Sequence, residues 1–163
     1  MEKDKTKNIW VLLRFTMAFI MLWAFFDKTF GLGFATPPEK SWLNGSSPTF
    51  GFLTFGTNGI FSSVFKNLAG NLIIDWLFML GLLLIGLSLL LGVGLKIAGY
   101  SGALFMFFLY LAVVPSANNP IIDEHIVYIL IFLGLRNSEA GNILGLGNFW
   151  RKTSLIKHYP FLQ

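Results

Sequence analysis

The sequence predicts an all-α integral membrane protein, built as a bundle of four transmembrane helices. Of its 163 residues, 55% are hydrophobic and only 12% are charged, whereas a soluble domain carries about 25% charged residues. The hydrophobic residues are gathered into four runs that form one membrane domain, 9–136, between a charged head, 1–8, and a tail, 137–163. The predicted spans cover about residues 9–27, 72–95, 97–114 and 120–136.

The first span has a single charged residue in its interior. Between Ile9 and Phe26, only Arg14 brings a charge into the hydrophobic run. It lies about a turn and a half inside the cytoplasmic edge, so its long side chain is expected to reach back to the headgroups. The alternative is that Arg14 has an internal partner or an anionic ligand. The same residue argues against a cleaved signal peptide, because it interrupts the apolar region.

Residues 29–71 form a long connection that is rich in glycine and phenylalanine. Its aromatic content argues against disorder, and loops of this length are usually functional when they are ordered. One short helix is expected to start at Ser47-Pro48 and to run through Phe55. A second is indicated by apolar residues with helical spacing, namely Phe61, Val64, Phe65 and Leu68. We expect these short interfacial helices to form an ordered cap on the outer face, or to re-enter the membrane in part.

The third span carries small residues four positions apart, at Ala98/Gly102 and Gly99/Ala103. Such pairs allow two membrane helices to approach closely. We therefore expect this helix to make a close contact within the bundle.

The fourth span is the most polar. Asn119 is a candidate cap, and Pro120 suits the first helical position. Only residues 126–135 are free of charge, and ten residues rise about 15 Å, half of a hydrocarbon core. The preceding acidic turn, 123–125, is therefore expected to be drawn into or near the membrane.

The distribution of basic residues predicts the orientation. With the N-terminus in the cytoplasm, eight basic residues lie inside and three lie outside. Four spans then place both termini in the cytoplasm, and the connection 29–71 on the outer face of a multi-pass cell (plasma) membrane protein. The inner set is Lys3, Lys5, Lys7, Lys96, Arg136, Arg151, Lys152 and Lys157, and the outer set is Lys28, Lys40 and Lys66.

The acids near the membrane all fall at the outer helix ends. Asp27 and Lys28 end the first span, Asp75 begins the second, and the turn 123–125 begins the fourth. We expect Asp75 to face at least one residue of that turn between helices, with Asp27 or Lys28 close by. The alternative is that the charges simply favour the helix termini and sit among the headgroups.

Several chemistries fit the sequence poorly. There is no cysteine, which excludes disulfides, thiol redox chemistry, iron–sulfur clusters and zinc–thiolate sites within this chain. The only histidines are His125 and His158, in the fourth span and the tail, so a bis-histidine haem and a bound metal are not expected. Nucleic-acid binding is unsupported, because no Lys/Arg cluster exceeds two adjacent residues.

Five segments of the chain share a pattern with one family: WAFFDKTFGLGFATPP (23–38), WLNGSSPTFGFL (42–53), LAGN (68–71), DWLFMLGLLLIGLSLLLGVGLKIAG (75–99) and NNPIIDEHIVYILIFLGL (118–135). They resemble the DoxD/DoxX family, which includes the membrane subunit of thiosulfate:quinone oxidoreductase. The resemblance implies a four-helix membrane protein that oxidises thiosulfate to tetrathionate, with a quinone as acceptor and no covalent cofactor. It also implies a second small subunit.

Quinone reduction takes two electrons and two protons, which suggests a half-buried aromatic pocket beside titratable groups. We expect a proton relay from His125, Glu124, Asp123 and Asp75. We expect the ring site to be lined by Trp23, Phe26, Trp76 and Tyr128. We expect a dianionic sulfur substrate to be attracted at the outer face around Lys28, Asp27, Lys40 and Lys66.

A second interpretation of the same residues is a non-catalytic membrane scaffold or lipid-binding subunit. The acids and aromatic residues would then hold a partner or a lipid headgroup. Both interpretations place the chain in a lipid bilayer, and both leave homo-oligomerisation open.

Overall fold

The computed structural model describes residues 2–116 and 119–162, with side chains from Thr6 onward. Every regular element in this part of the chain is helical, as predicted. Three helices are long and apolar enough to cross a membrane, at Thr6–Phe30, Leu72–Leu91 and Leu95–Val113. The α-helices are α1 (Glu2–Phe30), α2 (Ser62–Lys66), α3 (Leu72–Leu91), α4 (Leu95–Val113), α5 (Glu124–Asn137), α6 (Gly147–Trp150) and α7 (Ser154–His158).

The first helix is longer than the predicted span at both ends. The charged head continues it towards the N-terminus, because Glu and Lys are good helix formers. At the other end it stops at Gly31, whose φ of +66° lies in the left-handed region. A side chain there would also place its Cβ 2.6 Å from the Cα of Pro38, so the close approach of the connection requires glycine.

The start of α5 differs from the prediction. The helix begins at Glu124, and its N-cap is Asp123, whose Oδ1 accepts hydrogen bonds from the amides of His125 (3.0 Å) and Ile126 (3.4 Å). Asn119 does not cap it; its side chain accepts from Ile121 and Ile122 in a turn ahead of the helix. The helix has 14 residues and is about 21 Å long, shorter than a hydrocarbon core of about 30 Å.

The four long helices are arranged in a ring. Helix α3 packs against α1 and α4, and α5 packs against α4 and, to a smaller extent, against α1. Helices α3 and α5 are therefore diagonal to one another. This arrangement separates the two helices on which the predicted polar cluster depends.

The small residues of α4 lie where α5 approaches most closely, as their spacing predicted. A Cβ on Gly102 would lie 2.3 Å from the ring of Phe132, and one on Gly99 would lie 2.7 Å from the Phe132 carbonyl oxygen. Ala98 and Ala103 are buried beside them. Because these positions have small side chains or none, Phe132 is completely enclosed.

The connection between α1 and α3 contains the two short helical segments that the sequence predicts. The first is helical from 50 and continues as a π-helix, Phe52–Gly56, and the second is α2. The connection is joined to the end of α4, where the Ile60 amide donates to the Val114 carbonyl (3.0 Å). Two 3-10 turns, Pro38–Lys40 and Trp42–Asn44, precede these segments.

Candidate functional site

An apolar cavity of about 250 Å³ lies between the connection and helices α3 and α4. Among the described residues that line it, Thr49 alone has a polar side chain, and five phenylalanine rings form much of its wall. Phe65 and Leu68 turn into it from the predicted apolar face of α2, whereas Phe61 and Val64 of that face are exposed. The lining residues are Pro48, Thr49, Phe52, Leu53, Phe65, Leu68, Ile74, Leu77, Phe78, Phe105, Phe108, Leu109 and Ala112.

Asp75 holds the connection against α3 at the edge of this cavity. Its Oδ1 accepts hydrogen bonds from the Ser47 hydroxyl (2.8 Å), the Thr49 hydroxyl (2.5 Å) and the Thr49 amide (3.3 Å). The carboxylate is buried, with 4% of the residue exposed. A buried carboxylate is tolerated when polar partners satisfy it, and here the partners come from the segment that forms the cavity wall.

Lys28 lies close to Phe78, one of the residues that form the cavity wall. Its ammonium nitrogen is 5.9 Å from the centroid of the Phe78 ring, at the outer limit of a cation–π contact. Phe78 in turn packs against Phe105, with ring centroids 5.2 Å apart. A half-buried cation therefore stands next to the aromatic wall.

The buried carboxylate of Asp27 stabilises the turn after α1. Its Oδ1 accepts from the Phe34 amide (3.3 Å), and its Oδ2 accepts from the Ala35 amide (3.1 Å). Both oxygens are thus used by the backbone of this chain. Asp27 therefore has a structural role in this turn. Its part in substrate binding stays a prediction.

The turn before α5 forms a network of its own. The Asp123 carboxylate contacts the Nδ1 of His125 at 2.9 Å while it caps the helix, and Glu124 is exposed. Among the described residues, Asp75 shares no hydrogen bond or ion pair with this turn. In place of one outer cluster, the structure has separate networks at Asp27, Asp75 and Asp123, because α3 and α5 are diagonal.

The aromatic residues expected to line a ring site do not line this cavity. Trp23 contacts the Phe34 ring edge-on at 4.9 Å, and Trp76 contacts Trp42 edge-on at 4.7 Å. Phe26 is exposed on α1, whereas Tyr128 is half-buried against the core. Lys40 and Lys66 are both exposed on the connection. The helical spacing of Phe65 and Leu68 predicted that these two side chains lie on an apolar face, but no sequence pattern predicted the cavity itself.

Arg14 is fully buried, so the prediction that it reaches the headgroups is wrong. Its Nη2 donates to the Leu144 carbonyl at 2.5 Å, and its Nε and Nη1 have no hydrogen-bond partner among the described residues. The tail closes over the guanidinium because glycines leave room for it: a Cβ on Gly92 would lie 2.2 Å from Nη1, and one on Gly145 would lie 2.8 Å from it. The internal partner is therefore the backbone of the tail.

These features define a helical protein with three helices able to cross a membrane and an aromatic cavity beneath a long interhelical connection. No family model matches the chain, and no curated protein or solved structure matches it.

Proposed function

We propose that this chain is the membrane subunit of a quinone-linked oxidoreductase of the DoxD/DoxX kind, which oxidises thiosulfate to tetrathionate and passes the electrons to a membrane quinone. The observation that carries the proposal is the aromatic cavity between the connection and helices α3 and α4. The resemblance of segments 23–38, 42–53 and 118–135 to that family supplies the reaction.

The proposed topology has four spans with both termini in the cytoplasm of a cell membrane. The basic residues support it, with eight inside and three outside. Helix α5 is short, so the turn 119–123 completes the crossing at the outer headgroups. Under this topology the cavity, Asp75 and Lys28 all lie towards the outer face.

The cavity fits a quinone ring in size and lining. Ligand pockets are mostly apolar and aromatic with a few polar groups, and flat rings stack or meet edge-on with phenyl groups. Here the Phe65, Phe78 and Phe105 rings supply the aromatic contacts, and Thr49 supplies the polar group. A bound quinone accepts two electrons and two protons, which balances the two electrons released when two thiosulfates join as one tetrathionate.

The chain's own residues then have distinct tasks. Asp75 is the member of the predicted proton relay that reaches the cavity wall, through Thr49. Among the described residues, the hydrogen bonds of Asp75 are made by Oδ1, and we assign the exchange of a proton to Oδ2. The positive charge of Lys28, together with exposed Lys40 and Lys66, favours the approach of a dianion. Because a chain without cysteine has no thiol or iron–sulfur electron store, the electrons pass directly to the quinone or through a second small subunit.

The second candidate is a lipid-binding or scaffold subunit. It is favoured by the same cavity, because a wall with one polar side chain also suits an acyl chain. In that case Asp75 fixes the connection and has no part in proton transfer.

A cavity-filling variant distinguishes these functions. Leu109→Trp adds bulk inside the cavity, whereas Leu130→Trp makes the same change on an exposed position of α5. In membranes that contain the protein and its partner subunit, we expect thiosulfate-dependent quinol formation for wild type and Leu130→Trp, and background rates for Leu109→Trp. Tetrathionate and quinol should form in equal amounts. Equal rates of quinol formation in both variants would contradict the proposal. If wild type shows no turnover but carries a bound lipid that only Leu109→Trp has lost, the result would support the second candidate.

A further inference from the structure

A second cavity, of about 50 Å³, lies at the opposite end of the bundle, where α3 ends, α4 begins and the tail folds back. The described residues of its lining include three basic side chains, Lys96, Arg136 and Arg151, and no carboxylate. Among the described residues, the only ion pair joins Asp123 and His125, at the other end of α5. The positive charge of this cavity is therefore not neutralised within the described part of the chain.

Neutral groups hold two of the cations in place. The Arg136 guanidinium lies 4.5 Å from the Tyr100 ring centroid, and its Nε donates to the Asn137 amide oxygen at 3.0 Å. When the Asn142 side-chain amide is oriented with its oxygen towards Arg151, this oxygen accepts a hydrogen bond from the Arg151 Nη2 at 3.0 Å. Such contacts orient the guanidinium groups without cancelling their charge.

The backbone adds to the positive potential of the cavity. Helix α4 begins here, and its N-cap, Gly94, offers no side chain to the first amides. These amides and the helix dipole favour an anion. The buried Arg14 lies next to Gly92, which lines the cavity, and two of its guanidinium nitrogens have no hydrogen-bond partner among the described residues. A volume of about 50 Å³ is several times that of one water site but is small for an organic ring.

We propose that this cavity binds the phosphate group of an anionic phospholipid of the cytoplasmic leaflet. The inference rests on the proposed orientation, which places this end inside, and is independent of quinone chemistry. Apolar side chains of the tail flank the basic residues in sequence and are widely exposed: Leu144 (73%), Leu146 (52%) and Phe149 (73%). Basic pockets with neighbouring apolar and aromatic groups suit the headgroup region better than the aqueous phase.

The test uses the full-length protein in detergent. Binding of phosphatidylglycerol and of phosphatidylcholine is measured by native mass spectrometry, for wild type and for the double variant Lys96→Gln/Arg151→Gln. Both residues are exposed, so their replacement leaves the core intact. The matched control is Lys40→Gln/Lys66→Gln, which removes two exposed charges at the other end of the bundle. Thermal unfolding of the three proteins without lipid checks that the fold is retained.

Wild type and control should bind phosphatidylglycerol more tightly than phosphatidylcholine. The Lys96→Gln/Arg151→Gln variant should lose about thirtyfold in affinity for phosphatidylglycerol, since each basic residue near a membrane surface contributes about fivefold. Equal binding of the two lipids by wild type, or equal loss in both double variants, would overturn the proposal. Displacement of phosphatidylglycerol by millimolar inorganic phosphate would also overturn it, because the site would then serve a soluble phosphate.

Discussion

Removal of the Asp75 carboxylate should release the connection from the bundle. Asp75→Ala deletes the acceptor of three hydrogen bonds, from Ser47 and Thr49. The Thr49 amide and hydroxyl would then be left without an acceptor in a buried position, and each such loss costs about 1–3 kcal/mol. Because the hydroxyls can find new partners in part, we expect a total of about 2–4 kcal/mol in the free energy of opening the connection.

Amide hydrogen exchange measures this quantity directly. A loss of about 2–4 kcal/mol corresponds to a thirtyfold to thousandfold fall in protection, and it should appear in residues 47–57 and leave the centres of α3 and α4 unchanged. Asp75→Asn is the matched control, because the amide keeps an oxygen acceptor and removes the charge. It should lose much less protection than Asp75→Ala. Unchanged exchange in Asp75→Ala would refute the role given to this residue, as would uniform loss across all helices.

Three further predictions concern the bundle and its orientation. Gly102→Leu should lower the free energy of unfolding by about 1–3 kcal/mol, because the new side chain would clash with the Phe132 ring. Ser101→Leu, at a neighbouring exposed position, should change this free energy little. Unfolding in a denaturing detergent measures both changes. Asp123→Ala should cost about 0.5–2 kcal/mol as a lost N-cap, and Asp123→Asn should restore most of it, which a thermal unfolding series would show. Because the chain has no cysteine, single cysteines at Lys40 and Lys152 can be labelled cleanly, and labelling of both from one side would contradict the four-span topology.

The helical framework could be predicted because long apolar runs and small-residue spacing are local signals. The contact of Gly99 and Gly102 with α5 follows directly from that spacing. The start of α5 could not be placed, because Asn119 and Asp123 are both good caps, and only the folded chain shows that each closes a different turn. Capping chemistry alone allows the helix to begin after either residue, and in the folded protein it begins after Asp123.

The candidate sites depended on long-range contacts. The acids of α3 and α5 do lie near helix starts, as predicted, but the ring order of the helices makes α3 and α5 diagonal, and sequence spacing carries no information on that order. Arg14 was expected to reach the headgroups because the sequence does not show that the tail returns over it and places the Leu144 carbonyl beside its guanidinium. The spacing of Phe65 and Leu68 predicted an apolar helix face, and both residues line the cavity. The sequence gives no sign of which residues of α4 form the opposite wall.

We propose that the cavity beneath the connection holds a membrane quinone. The most direct measurement is the quinone extracted from purified protein, per chain, for wild type, Leu109→Trp and Leu130→Trp. We expect wild type and Leu130→Trp to retain quinone through purification. We expect Leu109→Trp to lose it, because the added ring fills the cavity. Quinone content that is equal in all three proteins, or no quinone in wild type when the membranes contain it, would contradict the claim.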